Sequence, residues 1–188
     1  MSRNLDFRTK TFRPFALALG EIALAWNDFH MVLSSLFGAV LKIPNQMVAD
    51  AIWHSLTSDR AQREMLKAVV NLSVIGHDIP IKLREEINTV LSKATKLEDL
   101  RNDALHSPHL DSSDGSVFAW YQLGHKRATK LANKDLLKVY RWFYDSVIAL
   151  REYTELLADC VRRPDEPLPQ KLVLPNHGAP NEHQSPQE

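Results

Sequence analysis

The chain has 188 residues, 44% of them hydrophobic and 24% charged, and its 23 basic side chains balance its 23 acidic ones. That make-up fits one soluble globular domain with a sizeable core. Zero formal charge argues against broad, non-specific attraction to polyanions but leaves room for a local basic patch. A single cysteine, Cys160, excludes an internal disulfide framework and fits a reducing compartment. The opening residues, Met1 to Asp6, lack the apolar core of a signal peptide, and no run approaches the ~18 apolar residues of a membrane span. The expected setting is cytoplasmic, with no membrane partner.

Residues 1–12 are polar and basic, with isolated Phe7 and Phe12, and read as a loosely docked arm. Pro14 suits the first turn of a helix. From there Phe15, Ala18, Ile22, Trp26, Phe29, Leu33, Leu36, Phe37 and Val40 trace one helical stripe that stops before Pro44, a length of roughly 43 Å. Glu21 and Asp28 sit on neighbouring faces and read as a solvated flank.

A short helix follows over about 46–55, with Val48, Ile52 and Trp53 as its packing residues. Thr57-Ser58-Asp59 signals a third helix, and Gln62 lies three residues after Asp59 as in a capping box. Met65, Leu66, Val69, Val70 and Leu72 carry that helix towards Gly76, a plausible C-cap. Pro80 opens a fourth helix whose stripe runs Leu83, Ile87, Val90, Ala94, Leu97 and resumes at Leu105.

Turn residues at Asp111 to Ser116 precede the β-forming run Val117 to Leu123, which predicts a small hairpin or one short strand. Asn133 caps a last helix with Leu136, Tyr140, Phe143, Val147, Leu150, Leu157 and Val161 on its packing side. Six of the ten prolines fall after Arg163, in a stretch too polar to offset its ordering entropy. The expected fold is therefore all-α (mainly α), an up-and-down bundle of four to five helices with a small β insertion before the last. Its domain spans 1–162, and 163–188 forms a Pro-rich disordered tail on which Leu172-Val173-Leu174 docks as a short extended segment.

One residue breaks the pattern of the fourth helix. The stripe's next position after Leu97 is Arg101, a guanidinium that stays charged and is costly to bury unpaired. His106 follows five residues later, and histidine changes charge near neutral pH. Pro108 disfavours helix at Ser107, so His106 belongs in or just beyond the last turn. Five helical positions rotate by about 500°, leaving Arg101 and His106 some 140° apart. They meet only if the helix unwinds near Ala104 or if a second chain contributes its own pair. The plain structural alternative is that Arg101 caps carbonyls or pairs with an acid such as Glu21, while His106 merely ends a helix.

The run Arg101-Asn102-Asp103-Ala104-Leu105-His106 resembles the motif of the HEPN superfamily, an Arg, a polar residue, then a His after four to six intervening positions. Gly20 to Phe29 resembles the first-helix pattern of one bacterial branch, Ser58 to Leu66 its middle helix, and Trp120 its Trp-bearing strand, so the likeness covers about residues 15–160. It departs at Ser107-Pro108, where that branch often has Gly.

The resemblance implies a helical homodimer that sets two Arg–His motifs in one cleft. Catalytic members cut RNA there without a metal or cofactor, leaving 2′,3′-cyclic phosphate and 5′-OH ends. His106 would move the proton, Arg101 would hold the developing phosphorane charge, and Asn102 would orient a phosphate. A toxin or phage-defence endoribonuclease with a cognate antitoxin protein is the leading expectation. The alternative is a non-catalytic dimer of the same fold that binds RNA or nucleotide or mediates protein contacts.

Lesser signals lie elsewhere. His106 and His109 make a poor zinc pair without a Cys or HExxH spacing, and no metal site is expected. Lys126, Arg127 and Lys130, within a basic run from His125 to Arg141, could follow an RNA backbone or form an ordinary solvated face. Cys160 reads as a small packing residue.

Overall fold

A computed structural model of the chain describes residues 2–72, 79–112, 115–121 and 124–176, residues 2–8 by their backbone alone. Among these, six helices and two short strands occur: α1 (Ser2–Val40), α2 (Gln46–His54), α3 (Asp59–Val70), α4 (Ile81–His106), β1 (His109–Asp111), β2 (Val117–Ala119), α5 (Lys126–Leu131) and α6 (Leu136–Arg162).

The apolar stripe of α1 buries Ile22, Trp26, Phe29, Leu33, Leu36, Phe37 and Val40. Its most extensive interface is with α6, which contributes Phe143, Val147, Leu150 and Leu157. Residue pairs fix the directions. α2 turns back along α1, from Gly38 beside Gln46 to His30 beside Trp53. α3 runs with α1, since Trp26 meets Asp59 and His30 meets Gln62. α4 returns against α3, from Arg63–Glu98 to Asn71–Asn88. α6 again runs with α1, joined by Trp26–Phe143, Asp28–Arg151 and Ser35–Arg162. The result is the expected up-and-down helical bundle with a small antiparallel hairpin, Leu110 opposite Phe118, before the last helices.

Several local expectations change. α1 begins at Ser2, not at Pro14, and its 39 residues span about 58 Å. Pro14 faces solvent, where the carbonyl it leaves without an N–H can bond to water. On α2 the buried residues are Ala49 and Trp53, while Val48 and Ile52 are exposed. Ala49 is the residue that Gly38 requires: a Cβ at Gly38 would lie 2.9 Å from the Ala49 Cβ, so glycine lets the two helices touch.

Ser58 is the N-cap of α3, accepting from the Ala61 N–H, so Asp59 and Gln62 form no capping box and turn inward. Leu72 is exposed, and the cap expected at Gly76 lies outside the described residues. On α4 the stripe passes through Ala104 instead of Leu105. Asp135, not Asn133, caps α6, and Asn133 adopts a left-handed turn at φ 57°. The run after His125 forms α5, a helix that periodicity alone did not separate.

Past Arg163 the described residues carry no regular element, yet 167–175 lie against α6. Trp142 Nε1 donates to the Pro175 carbonyl at 2.8 Å, and Leu172 and Leu174 pack on the core, as Leu172-Val173-Leu174 suggested. Cys160 is buried, its thiol 3.7 Å from the Pro167 carbonyl. Among the described residues no helix is long and apolar enough to cross a membrane.

Candidate functional site

Three helices converge on the Trp26 ring. From α1 come Trp26 and His30, from α3 Asp59, Gln62 and Arg63, and from α4 Glu98, Arg101 and Asn102. Trp26 is needed there as core volume, and its indole N–H must find an acceptor once buried. It donates to Asp59 Oδ2 at 2.8 Å. The same carboxylate oxygen lies 3.6 Å from Arg101 Nη1. Arg101 thus pairs with an acid, but the acid is Asp59; Glu21 is exposed.

Two guanidiniums lie over the Trp26 ring, the Arg63 Cζ 5.7 Å and the Arg101 Cζ 5.8 Å from its centroid, within cation–π reach. Arg63 is sealed. Nη2 donates to Glu98 Oε2 at 2.6 Å, and Nη1 lies 3.2 Å from His30 Nε2. Arginine carries no acceptor, so this contact requires His30 Nε2 to bear the lone pair. His30 Nδ1 then donates to Gln62 Oε1 at 3.1 Å, leaving the Gln62 amide to donate to the Trp53 and Leu56 carbonyls. The network assigns both the tautomer and the amide orientation. Burial drives the His30 pKa down to about 4; the Asp59 charge opposes that and the Arg63 charge adds to it. His30 is therefore a neutral structural link at neutral pH. Burial alone would raise the Asp59 carboxyl, but the Trp26 hydrogen bond and the neighbouring positive charges outweigh it and leave its pKa lowered.

Arg101 is less enclosed, with a quarter of its side chain accessible. Nη1 also donates to the Asn102 side-chain oxygen at 3.1 Å, while the buried Nε–H has no partner among the described residues. A buried donor left unpaired costs on the order of 1–3 kcal/mol. Indole, carboxylate and amide together fix this guanidinium at the bundle surface and leave part of its five-donor fork available for an anion.

His106 is exposed in the last turn of α4. The helix does not unwind near Ala104; it continues through His106. Arg101 and Asn102 are therefore brought together, and His106 stands about 7.5 Å further along the axis, rotated away. One chain alone does not join the pair. Ser107, the C-cap, has extended backbone at φ −83°, ψ 135°, so the departure from Gly there introduces no strain.

Asp103 had no assigned part, yet it is buried and organises α5: Arg127 Nη1 lies 3.4 Å and Lys130 Nζ 3.1 Å from its two oxygens. Two of the three cations read as an RNA track thus compensate a buried carboxylate, while Lys126 is exposed. His125 serves as the N-cap of α5. His109 leaves His106 altogether; its Nε2 shares a 2.6 Å hydrogen bond with the Tyr140 hydroxyl, and burial lowers the His109 pKa and raises that of Tyr140.

Trp26, Asp59, Gln62, Arg63 and Glu98 were not singled out with Arg101 from the sequence. One signal was present: with Ser58 available as the cap, Asp59, Gln62 and Arg63 were spare polar groups on the helix face that continues through Leu66 and Val70. No family model, curated protein or solved structure matches this chain.

Proposed function

We propose that the chain is a HEPN-like RNA-binding protein of the cytoplasm that acts as a metal-independent endoribonuclease through a composite Arg/His site in a homodimer. The observation that carries this reading is the setting of Arg101. A permanent charge on a packing stripe is held by Trp26, Asp59 and Asn102 at the surface end of a helix whose last residue is an exposed histidine. Such a guanidinium suits phosphoryl oxygens, and an exposed imidazole suits transfer of a ribose hydroxyl proton. Because α4 stays helical, His106 reaches an Arg101-bound phosphate from the partner's copy of α4, which makes dimerisation a condition of activity. Arg127 and Lys130 are engaged with Asp103, so α5 adds general attraction to a polyanion and does not grip it. A toxin or phage-defence role with a cognate antitoxin belongs to the same reading.

A second reading, a non-catalytic RNA- or nucleotide-binding dimer, is favoured by the Asp59–Arg101 ion pair, which already gives the guanidinium a structural partner. RNA cleavage by the purified dimer separates the two. The endoribonuclease reading expects cutting in EDTA, resistance at a single 2′-deoxy linkage, cyclic-phosphate ends, and loss of cleavage in His106→Ala and Arg101→Ala. Cleavage that survives His106→Ala or needs Mg²⁺ would falsify it. Binding without cleavage leaves the second reading in place.

A further inference from the structure

The groove between the antiparallel helices α3 and α4 begins at the Arg101 cluster and runs away from it, enclosing a cavity of about 280 Å³. Seven of its eight lining residues are polar or charged, though most of the surface they present is apolar. Arg63 closes the end nearest Trp26, Lys67 and Lys96 stand on opposite helices, and Ser92 and Asn88 add a hydroxyl and an amide. The side chains of Asn88 and Asn71 bond to each other at the far end.

Charge accounting separates this groove from α5. Arg63 is neutralised by Glu98 at 2.6 Å. Lys67 and Lys96 are exposed and make no ion pair among the described residues; Glu64 is the one carboxylate lining the cavity. On α5, by contrast, Arg127 and Lys130 are both committed to buried Asp103. Lys96 and Ser92 precede Arg101 by five and nine residues, which turns them some 140° and 180° from it around α4, so the groove is a face of its own beside the Arg101 site.

We infer that the α3–α4 groove binds the phosphodiester backbone of single-stranded RNA, with Lys67 and Lys96 as the contacting cations. The inference rests on the RNA reading of the Arg101 site. It moves the RNA track from the sequence-conspicuous run on α5 to two lysines that lie 29 positions apart in the chain and share no local motif.

Fluorescence anisotropy with a labelled, mixed-sequence single-stranded RNA tests it, using full-length protein in a His106→Ala background so that the probe stays intact. The double reversal Lys67→Glu/Lys96→Glu is compared with the charge-matched reversal Lys126→Glu/Lys134→Glu on the α5 side. All four lysines are exposed, so both variants should melt as the parent does. The groove variant should bind at least tenfold more weakly at low salt, and its log K against log salt slope should flatten by about 1.4, the value for two lost single-strand phosphate contacts. The α5 variant should change affinity less than threefold and keep the parental slope. Equal weakening by both variants would reduce the effect to net charge and overturn the groove, as would parental binding by the groove variant. A parent that binds no RNA would overturn the RNA reading itself, which distinguishes the two failures.

Discussion

Arg63 and Arg101 lie over the same tryptophan and are built differently. Arg63 is 3% accessible and hydrogen-bonds both Glu98 and His30 at close range. Arg101 is 25% accessible and its one carboxylate lies 3.6 Å away, while the buried Nε–H of each arginine has no partner among the described residues. A buried charge that is closely paired by its neighbours specifies how helices meet; removing one partner exposes the cost of the other. A charge held loosely at the surface adds little to stability and keeps donors for a ligand. The difference teaches that Arg63 locks α1, α3 and α4 together, and that Arg101 is mounted on that lock.

The largest break in this comparison comes from Arg63→Ala. It strands Glu98 and takes the donor from His30, so urea denaturation should show a loss on the order of 3 kcal/mol. If Arg63→Ala unfolds at the parental midpoint, the lock does not exist.

Acid should open the same lock. The folded pKa of His30, about 4, lies below its unfolded value of about 6.5, so the unfolded chain binds more protons between those values. Stability contributed by neutral His30 is complete above pH 6.5 and lost as pH falls towards 4. The 2.5-unit difference corresponds to roughly 3 kcal/mol. His109, also lowered by burial, adds in the same direction. Asp59, likewise lowered, withdraws its share below the usual carboxylate range. Denaturant midpoints across this window should fall steeply in the parent and much less in His30→Gln; parallel curves would reject the assignment.

Arg101→Ala and His106→Ala sharpen the comparison from the other side. One side chain is partly exposed with a long ion pair and the other is exposed at a helix end. Each substitution should therefore shift stability by no more than about 1 kcal/mol. Cleavage should vanish in both. An Arg101→Ala variant as unstable as Arg63→Ala would make Arg101 a second structural arginine.

The long helices were legible because their apolar residues repeat every three or four positions, and Arg101 stood out by interrupting that repeat. Its surroundings were not legible. Asp59 and Gln62 sit next to a serine at a helix start, where a local capping pattern accounts for them equally well; their actual partners, Trp26 and His30, lie 33 and 32 residues earlier. The setting of the basic run on α5 was hidden for the same reason, since local charge density says nothing of buried Asp103, 24 positions before Arg127. Pro14 reads as a start because proline favours first turns, yet it lies exposed inside α1. Docking of the tail past Arg163 depends on Trp142, 33 positions before Pro175, and no tail composition reveals that contact.

The central claim, that Arg101 of one subunit works with His106 of the other, is tested most directly by subunit mixing. Arg101→Ala and His106→Ala dimers are each inactive by this account, and exchange at equal amounts makes half of the dimers mixed. Each mixed dimer holds one site with both residues intact, so the mixture should recover roughly a quarter of wild-type RNA cleavage. A mixture that exchanges subunits yet stays as inactive as its parents, beside an active wild type, would contradict the composite site.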